Sequence, residues 1–166
     1  MGPREAAIFE ELYRCYAEDV FRFSLYLSGN WALAQDLTSE VFVRAWSAAT
    51  PVQVVTAKAY LFTIARNLFL DSLRREPAQA ELLASLRATP ALSPEVQEEL
   101  SQTLDDLRQI AEGDRSALVM AVFEEMSHEE VARALGVSVG AVKSRIFRAR
   151  LRLSELRQQR LVRSKT

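Results

Sequence analysis

The stretch that most constrains this chain runs from Met126 to Leu153 and has the pattern of two helices joined by a tight turn. Ser127 is followed three residues later by Glu130, a capping box whose side chains satisfy backbone N–H groups left free at a helix start. Gly136 supplies the positive φ that ends this helix, and Ser138 then caps the next one. The sequence therefore predicts a helix-turn-helix.

The second of these helices combines an apolar face with a basic outer face. Its inward positions follow helical spacings of four, three and four, and they are Val142, Ile146, Ala149 and Leu153. The outer face carries Ala141, Ser144, Phe147 and Arg148, flanked by Lys143, Arg145, Arg150 and Arg152. A helix that lies in the DNA major groove between two phosphate backbones has this chemistry. The alternative is a helical hairpin with a solvated basic face, but the turn, the cap and the charge together favour DNA binding.

Charge is distributed unevenly along the 166 residues, although the formal net charge is only -1. Residues 95–130 hold eleven acidic and two basic groups, whereas residues 138–166 hold nine basic groups and one acidic group. Nucleic acid is expected to bind the basic block. The acidic block can face solvent, attract a basic partner or shield the basic block in the free protein, and the sequence does not choose among these.

Motifs for common catalytic and metal chemistry are missing from the sequence. It has no glycine-rich phosphate loop, no Cys-x-x-Cys and no Gly-x-Ser-x-Gly. His128 lacks a second ligand four residues on, where Ala132 stands, and is predicted to be solvent-exposed. We therefore expect no enzyme activity, no cofactor, no metal and no small-molecule substrate. No apolar run has the length of a signal peptide or membrane span, which predicts a cytoplasmic protein without membrane insertion.

The single cysteine, Cys15, lies in a helical pattern next to aromatic residues. A thiol in such a position is more often structural than catalytic. Cys15 is therefore predicted to be buried.

Apolar residues recur at spacings of three and four through most of the remaining chain, and this period predicts helices. In the first 75 residues the predicted helices are Glu5–Leu27, a helix that Asn30 caps and that contains Leu33–Trp46, and Thr56–Arg75. Later in the chain, a helix is predicted to start at Ser93-Pro94. A turn at Gly113-Asp114-Arg115 and a helix over Arg115–Glu125 are predicted to follow it. Between the second and third helices, Ala48–Thr56 is predicted to be a loop because no strand nearby can pair with it.

These elements predict an all-α protein of two small helical domains joined by a flexible linker. The domains are residues 1–75 and 95–166, and the second contains the helix-turn-helix. Residues 76–94 have three prolines and little charge, which is typical of a linker, with at most one helical turn at Glu81–Leu86.

Three stretches of the chain match one family in its order and at its spacing. They are LAQDLTSEVFVRAW at 33–46, AKAYLFTIARNLFLDSLRR at 57–75 and EEMSHEEVARALGVSVGAVKSRIFRARLRL at 124–153. The first resembles the polymerase-binding helix of bacterial sigma factors of the extracytoplasmic-function group. The second is similar to their promoter-melting and minus-ten-reading segment, and the third to their minus-thirty-five-reading domain. A lone helix-turn-helix is weakly specific, whereas the three stretches together are strongly so.

The resemblance implies an alternative sigma factor, which binds core RNA polymerase, directs it to promoter DNA and helps to open the duplex for transcription initiation. Polymerase contacts are expected from Asp36, Glu40 and Arg44. Reading of the minus-ten element is expected from Asn67 and Asp71, with phosphate contacts from Arg66, Arg74 and Arg75. Contacts to the minus-thirty-five element are expected from Lys143, Ser144, Phe147 and Arg148, with phosphates anchored by Arg145 and Arg150.

Two further expectations follow from the same resemblance. The loop at 48–57 would hold a base flipped out of the stack, and an anti-sigma factor would be a further partner. Phe62 and Phe69 lie beside Arg66 and Asn67, where aromatic rings can stack on unpaired bases, although core packing is the favoured role for each ring taken singly.

Two other functions are compatible with part of the pattern. A polymerase-independent regulator would read an operator with the helix-turn-helix and use residues 1–75 for dimerisation or sensing. The polar and aromatic residues at 57–75 would then serve only to pack the core. A helical adaptor that sequesters a regulator would leave the basic block unexplained.

Overall fold

The computed structural model describes three ranges of the chain, residues 2–48, 57–75 and 92–166. Every regular element in these ranges is a helix, as the apolar period predicts. None of the helices in them has both the length and the apolar character needed to cross a membrane.

The chain divides into two compact units, Met1–Ala88 and Thr89–Thr166. Most of the predicted linker, including the possible helical turn at Glu81–Leu86, falls at 76–91 and lies outside the described residues. The predicted loop that holds a flipped base lies outside them as well, except at its two ends, Ala48 and Ala57.

The first unit consists of three helices that pack against one another in pairs, and they are α1 (Pro3–Ser28), α2 (Trp31–Ser47) and α3 (Ala57–Arg75). The predicted helices are confirmed. Gly29 ends α1 with a φ of 66°. Asn30 caps α2 as predicted, because its Oδ1 accepts a hydrogen bond of 3.0 Å from the N–H of Leu33.

The core of the first unit is apolar and partly aromatic. Its fully buried side chains include Val20, Phe23, Leu27, Val41, Leu61 and Phe62. The rings of Phe23 and Phe62 stack with their centroids 4.5 Å apart and their planes within 9°. Phe69 is also buried. Core packing is thus confirmed for Phe62 and Phe69, and neither ring is exposed for stacking on a base.

A small polar cluster joins α1 to α3 at the edge of this core. Asp19 accepts a hydrogen bond of 2.7 Å from Arg22 and lies 3.7 Å from the ammonium of Lys58. The same ammonium lies 5.6 Å from the centre of the Phe62 ring. Lys58 is the second residue of α3, so these contacts fix the start of that helix against α1.

Cys15 is exposed on α1, and the prediction of a buried thiol is wrong. On a helix, residues three and four apart share a face. Cys15 therefore shares its face with Glu11 and Glu18, which are both exposed, and lies at the edge of the buried side that carries Leu12.

The second unit contains α4 (Pro94–Arg108), α5 (Glu112–Leu118), a π-helical segment (Val119–Phe123), α6 (His128–Leu135) and α7 (Val139–Ser164). The predicted start near Ser93 is confirmed, because its hydroxyl accepts a hydrogen bond from the N–H of Val96 and Pro94 is the first helical residue. Pro is suited to that position because its missing N–H would have no helical partner.

The prediction of a turn at Gly113-Asp114-Arg115 is wrong, because these residues lie in α5. The chain turns earlier, between the end of α4 and Glu112. A Cβ atom on Gly113 would lie 3.2 Å from Nη1 of Arg145 on α7. Glycine therefore allows a close approach to α7 at this point instead of a change of chain direction. The predicted helix over Arg115–Glu125 also begins earlier, at Glu112, and becomes π-helical at Val119.

The predicted helix-turn-helix is confirmed in α6 and α7. The hydroxyl oxygens of Ser127 and Ser138 each accept a hydrogen bond of 3.1 Å from a backbone N–H in the first turn of the helix that they cap. Gly136 ends α6 with a φ of 66°. α7 packs against both α5 and α6 and continues as a regular helix to Ser164.

His128 begins α6 and is half-buried, so the prediction of a solvent-exposed histidine holds only in part. Across the described residues, no three His, Cys, Asp or Glu side chains cluster in a way that could hold a metal ion.

Candidate nucleic-acid interface

The outer face of α7 is exposed and basic. The predicted inward residues Val142, Ile146 and Ala149 are buried, Leu153 is half-buried, and Leu156 is buried one turn further along. On the opposite side the exposed residues are Lys143, Ser144, Phe147, Arg148 and Arg150. The structure thus brings together on one surface every residue expected to contact the minus-thirty-five element except Arg145.

Phe147 is the most exposed large apolar side chain on this surface, with 68% of it accessible. An aromatic ring in that position adds nothing to the core of its own unit. A ring of this kind can contact the methyl group of thymine in the major groove, while the surrounding cations neutralise phosphates.

Arg145 lies beside this surface instead of on it. Its side chain is half-buried, and its guanidinium lies against the backbone of Gly113 in α5. Among the described residues, Nη1 of Arg145 is buried without a hydrogen-bond partner. A buried donor of this kind is rare in folded proteins, since leaving it unsatisfied costs about 1–3 kcal/mol.

Arg148 is held by a carboxylate from another helix. Its Nε and Nη2 donate hydrogen bonds of 3.1 and 2.9 Å to the two carboxylate oxygens of Asp114 in α5. The Arg148 side chain is 56% exposed, whereas that of Asp114 is only 15% exposed. The hydrogen bonds and the negative charge of Asp114 raise the pKa of Arg148 above its ordinary value. Nothing in the sequence marks Asp114 as functional, because it lies 34 residues away from Arg148 and no local pattern links them.

A second ion pair joins the acidic block to the end of the basic helix. Nη2 of Arg160 donates a hydrogen bond of 2.5 Å to Asp106 of α4, which is only 7% exposed. Asp106 and Asp114 both belong to the acidic block at 95–130. These two carboxylates therefore pair with the basic helix of their own unit.

The residues expected to read the minus-ten element lie on the polar side of α3. Asn67, Arg74 and Arg75 are exposed, while Arg66 and Asp71 are half-buried. Nη1 of Arg74 lies 3.9 Å from Oδ1 of Asp71. Spacings of four and three place positions 67, 71 and 74 on one side of the helix, away from the buried side that carries Leu68 and Phe69.

The outer face of α2 carries the residues expected to bind polymerase. Asp36, Glu40 and Arg44 are all exposed, and Arg44 donates a hydrogen bond of 3.2 Å to Glu40. Two exposed apolar side chains accompany these charged groups, since Val43 is 57% exposed and Trp46 is 37% exposed.

Trp46 is only partly covered, by an edge contact with Phe9 in which the ring centroids lie 4.5 Å apart. Exposed aromatic and apolar side chains beside charged ones are typical of a protein–protein interface. The sequence signal for Val43 was its position among the polar outer residues of the helix.

Two family matches cover most of the described helices. Residues 12–78 match the family described as Sigma-70 region 2, and residues 104–153 match the family described as Sigma-70, region 4. The first match includes most of α1 and all of α2 and α3. The second runs from the end of α4 through the helix-turn-helix.

Similar proteins cover nearly the full chain. The ECF RNA polymerase sigma factor SigM of Bacillus subtilis is 32% identical over 152 residues, which are 89% of this chain and 93% of SigM. The ECF RNA polymerase sigma factor SigL of Mycobacterium tuberculosis is 34% identical over 164 residues, which cover 92% of each protein. Among solved structures, the sigma factor RpoE from Bartonella quintana, crystallised with the anti-sigma factor NepR, gives a TM-score of 0.71 at 26% identity and covers 90% of this chain and 96% of that one.

Proposed function

Because this chain belongs to the extracytoplasmic-function family of RNA polymerase sigma factors, we propose how its work is divided between the two units. The chain is an alternative sigma factor, an initiation factor and not an enzyme, and it directs RNA polymerase to promoters. In our proposal the first unit binds core polymerase and reads the minus-ten element. The second unit reads the minus-thirty-five element.

The observation that carries this proposal is the basic outer side of α7, where five side chains are exposed, namely Lys143, Ser144, Phe147, Arg148 and Arg150. Lysine and arginine neutralise phosphates, and an arginine can also donate two hydrogen bonds to the edge of a guanine. Serine donates to phosphate or base oxygens, and an exposed phenylalanine contacts thymine methyl groups. We assign Arg148, Phe147 and Ser144 to base edges, and Lys143 and Arg150 to the backbone.

Arg145 contributes less to this DNA-binding surface than the sequence predicts. Its guanidinium lies against Gly113, with one nitrogen buried. We retain Arg145 as a phosphate anchor because its side chain is half-buried and not fully enclosed.

We assign the polymerase contact to the outer face of α2. Asp36, Glu40 and Arg44 supply charge there, and the exposed apolar side chains of Val43 and Trp46 supply area whose burial favours association. An interface with this composition is suited to a large protein partner.

We assign the reading of the minus-ten element to the polar side of α3. Asn67 and Asp71 have the amide and carboxylate groups that recognise base edges once the strands are apart. Arg66, Arg74 and Arg75 lie at neighbouring positions and supply charge for the phosphates of that strand.

We further propose an anti-sigma factor as a partner and the cytoplasm as the place of action. RpoE of Bartonella quintana was crystallised with such a factor, and the similarity to it covers both units of this chain. The site of action follows from the proposed main partner, since bacterial RNA polymerase works on cytoplasmic DNA.

The test is a reconstitution with purified core RNA polymerase from the same host. We expect the chain to be retained with core polymerase in a pull-down, and we expect the resulting holoenzyme to give run-off transcripts with defined starts from a pool of host promoters. Core polymerase alone is the control. Failure to bind core polymerase would overturn the assignment of the α2 face, and binding without defined transcripts would overturn the assignments on α3 and α7.

A further inference from the structure

The ion pair between Asp114 and Arg148 uses only one edge of the guanidinium. Asp114 accepts from Nε and Nη2, which form the side of the arginine fork. Arginine has five N–H donors, and the Nη1 and Nη2 hydrogens that point away from the side chain are a second, separate fork. That end-on fork is not engaged by Asp114.

The free fork matches the chemistry of guanine. In the major groove a guanine presents O6 and N7 as neighbouring acceptors, and a bidentate arginine is their commonest partner. Because the Arg148 side chain is 56% exposed while Asp114 is 15% exposed, the carboxylate lies below the surface and the arginine extends above it. Asp114 therefore supports the base-reading group from behind.

We propose that Asp114 is a specificity-determining residue that holds the guanidinium of Arg148 in the orientation that reads a guanine of the minus-thirty-five element. This inference rests on the proposed function, in which Arg148 contacts a base edge. Asp114 does not touch DNA itself and acts through Arg148.

The position of Asp114 in the fold suits a rigid support. It lies in the first turn of α5, where the exposed N–H groups of the helix start favour a negative charge. α5 packs directly on α7, so the carboxylate is fixed relative to the recognition helix. A long exposed arginine without such a partner samples many rotamers, and a wrongly oriented guanidinium can still bind phosphate without reading a base.

The test is a selection with the intact holoenzyme. Core polymerase is reconstituted with the wild-type or variant chain and bound to promoter duplexes randomised in the upstream element, and the bound fraction is sequenced. We expect Asp114→Asn to lower the preference for guanine at one position by about 3-fold to 10-fold, a part of what a bidentate pair supplies. Binding to the pool as a whole should not weaken, because the substitution removes a negative charge near DNA.

The matched control is Asp105→Asn, which removes the same charge from the same unit. Asp105 is 62% exposed and lies 3.7 Å from Arg108, away from Arg148. We expect its base preferences to equal those of the wild type. In an Arg148→Ala background the guanine preference should be lost, and adding Asp114→Asn should change nothing further.

The possible outcomes separate this inference from the proposed function. If Arg148→Ala removes the guanine preference and Asp114→Asn leaves it intact or sharpens it, the support role of Asp114 is wrong. If neither substitution alters any base preference, the assignment of Arg148 to a base edge is wrong as well. Thermal unfolding checks the fold, and if the Asn variant is unstable, Asp114→Glu keeps the charge, moves the carboxylate and must lower the same preference.

Discussion

The arginines of α7 differ in their surroundings, although they look alike in the sequence. Arg145 lies against Gly113 with one nitrogen buried, Arg148 is held by Asp114, and Arg150 is exposed. Because a guanidinium can pack, read a base or bind a phosphate, its neighbours decide which of these it does. The three positions should therefore respond differently to substitution.

We expect Arg148→Ala to weaken binding of the holoenzyme to its promoter by about 1–3 kcal/mol, because a base contact is lost. The loss should be largest for the natural upstream element and small for a duplex altered at the base that Arg148 reads. The control is Arg150→Ala, which should weaken binding to both duplexes alike and lower the salt dependence by about one phosphate contact. Competition binding on the two duplexes measures this, and equal losses for Arg148→Ala on both would contradict the assignment.

Single residues also mark the limit of what the sequence predicts. Apolar spacing identified Val142, Ile146 and Ala149 as the inward face because a helix period is local information. The partner of Arg148 lies 34 residues away, so only the packing of α5 on α7 reveals it. The prediction that Cys15 is buried is wrong for a different reason. A residue that follows or precedes an aromatic residue in sequence does not lie on the same helix face as that residue.

Helix ends were predicted well where a side chain or a glycine defines them locally. The caps at Asn30 and Ser138 and the left-handed residue Gly136 are confirmed. The start of α5 was missed because Gly113 was interpreted as a turn, while in the fold it allows α7 to approach α5 closely. The π-helical segment that follows α5 has no signal in apolar spacing, because a single widened turn keeps nearly the same pattern.

Two glycines four residues apart give a test of how the helix-turn-helix is built. Gly136 has a φ of 66° and open space where a Cβ would lie, so Gly136→Ala should cost about 1 kcal/mol through the backbone alone. Gly140 lies in the first turn of α7, and its Cβ would meet only Ser138 Oγ at 3.9 Å. Gly140→Ala should therefore stabilise the unit by about 0.5–1 kcal/mol. Amide hydrogen exchange in α6 and α7 measures both, and changes of the same sign would contradict this account.

The outer face of α2 is tested by a reversal of charge. We expect Asp36→Arg to reduce retention of the chain by core polymerase, because Asp36 is an exposed group of the proposed interface and does not belong to the core. Helicity by circular dichroism should not change. Glu18→Arg, an equal change at an exposed position of α1, is the control and should bind normally. Normal retention of the Asp36 variant would place the interface on another face.

For the whole molecule, composition and apolar period were enough to predict an all-α chain, and the described residues agree. The predicted domain limits, residues 1–75 and 95–166, stay predictions. The uneven charge is visible in the sequence, but the ion pairs that it forms inside the second unit are not. Asp106 and Asp114 pair with Arg160 and Arg148 inside the second unit, so part of the acidic block is satisfied within the chain.

Two small units that each contact few phosphates should bind promoter DNA poorly until polymerase holds both. Once the first unit is docked on polymerase at the promoter, the effective concentration of the second unit at its DNA site rises. This can strengthen binding to the promoter by about 100-fold or more. Salt should weaken the free chain strongly, because its contacts are mainly to phosphates. We therefore expect weak, unselective binding by the chain alone at about 0.15 M salt and tight binding once core polymerase is added.

Fluorescence anisotropy of a labelled promoter duplex, with unlabelled competitor DNA present, measures this for the chain alone, core polymerase alone and the two together. The Asp36→Arg chain mixed with core polymerase is the matched control, and its binding should stay near that of the separate components. Tight, sequence-specific binding by the chain alone at the same salt would contradict the account, because the helix-turn-helix would then need no polymerase to find its site.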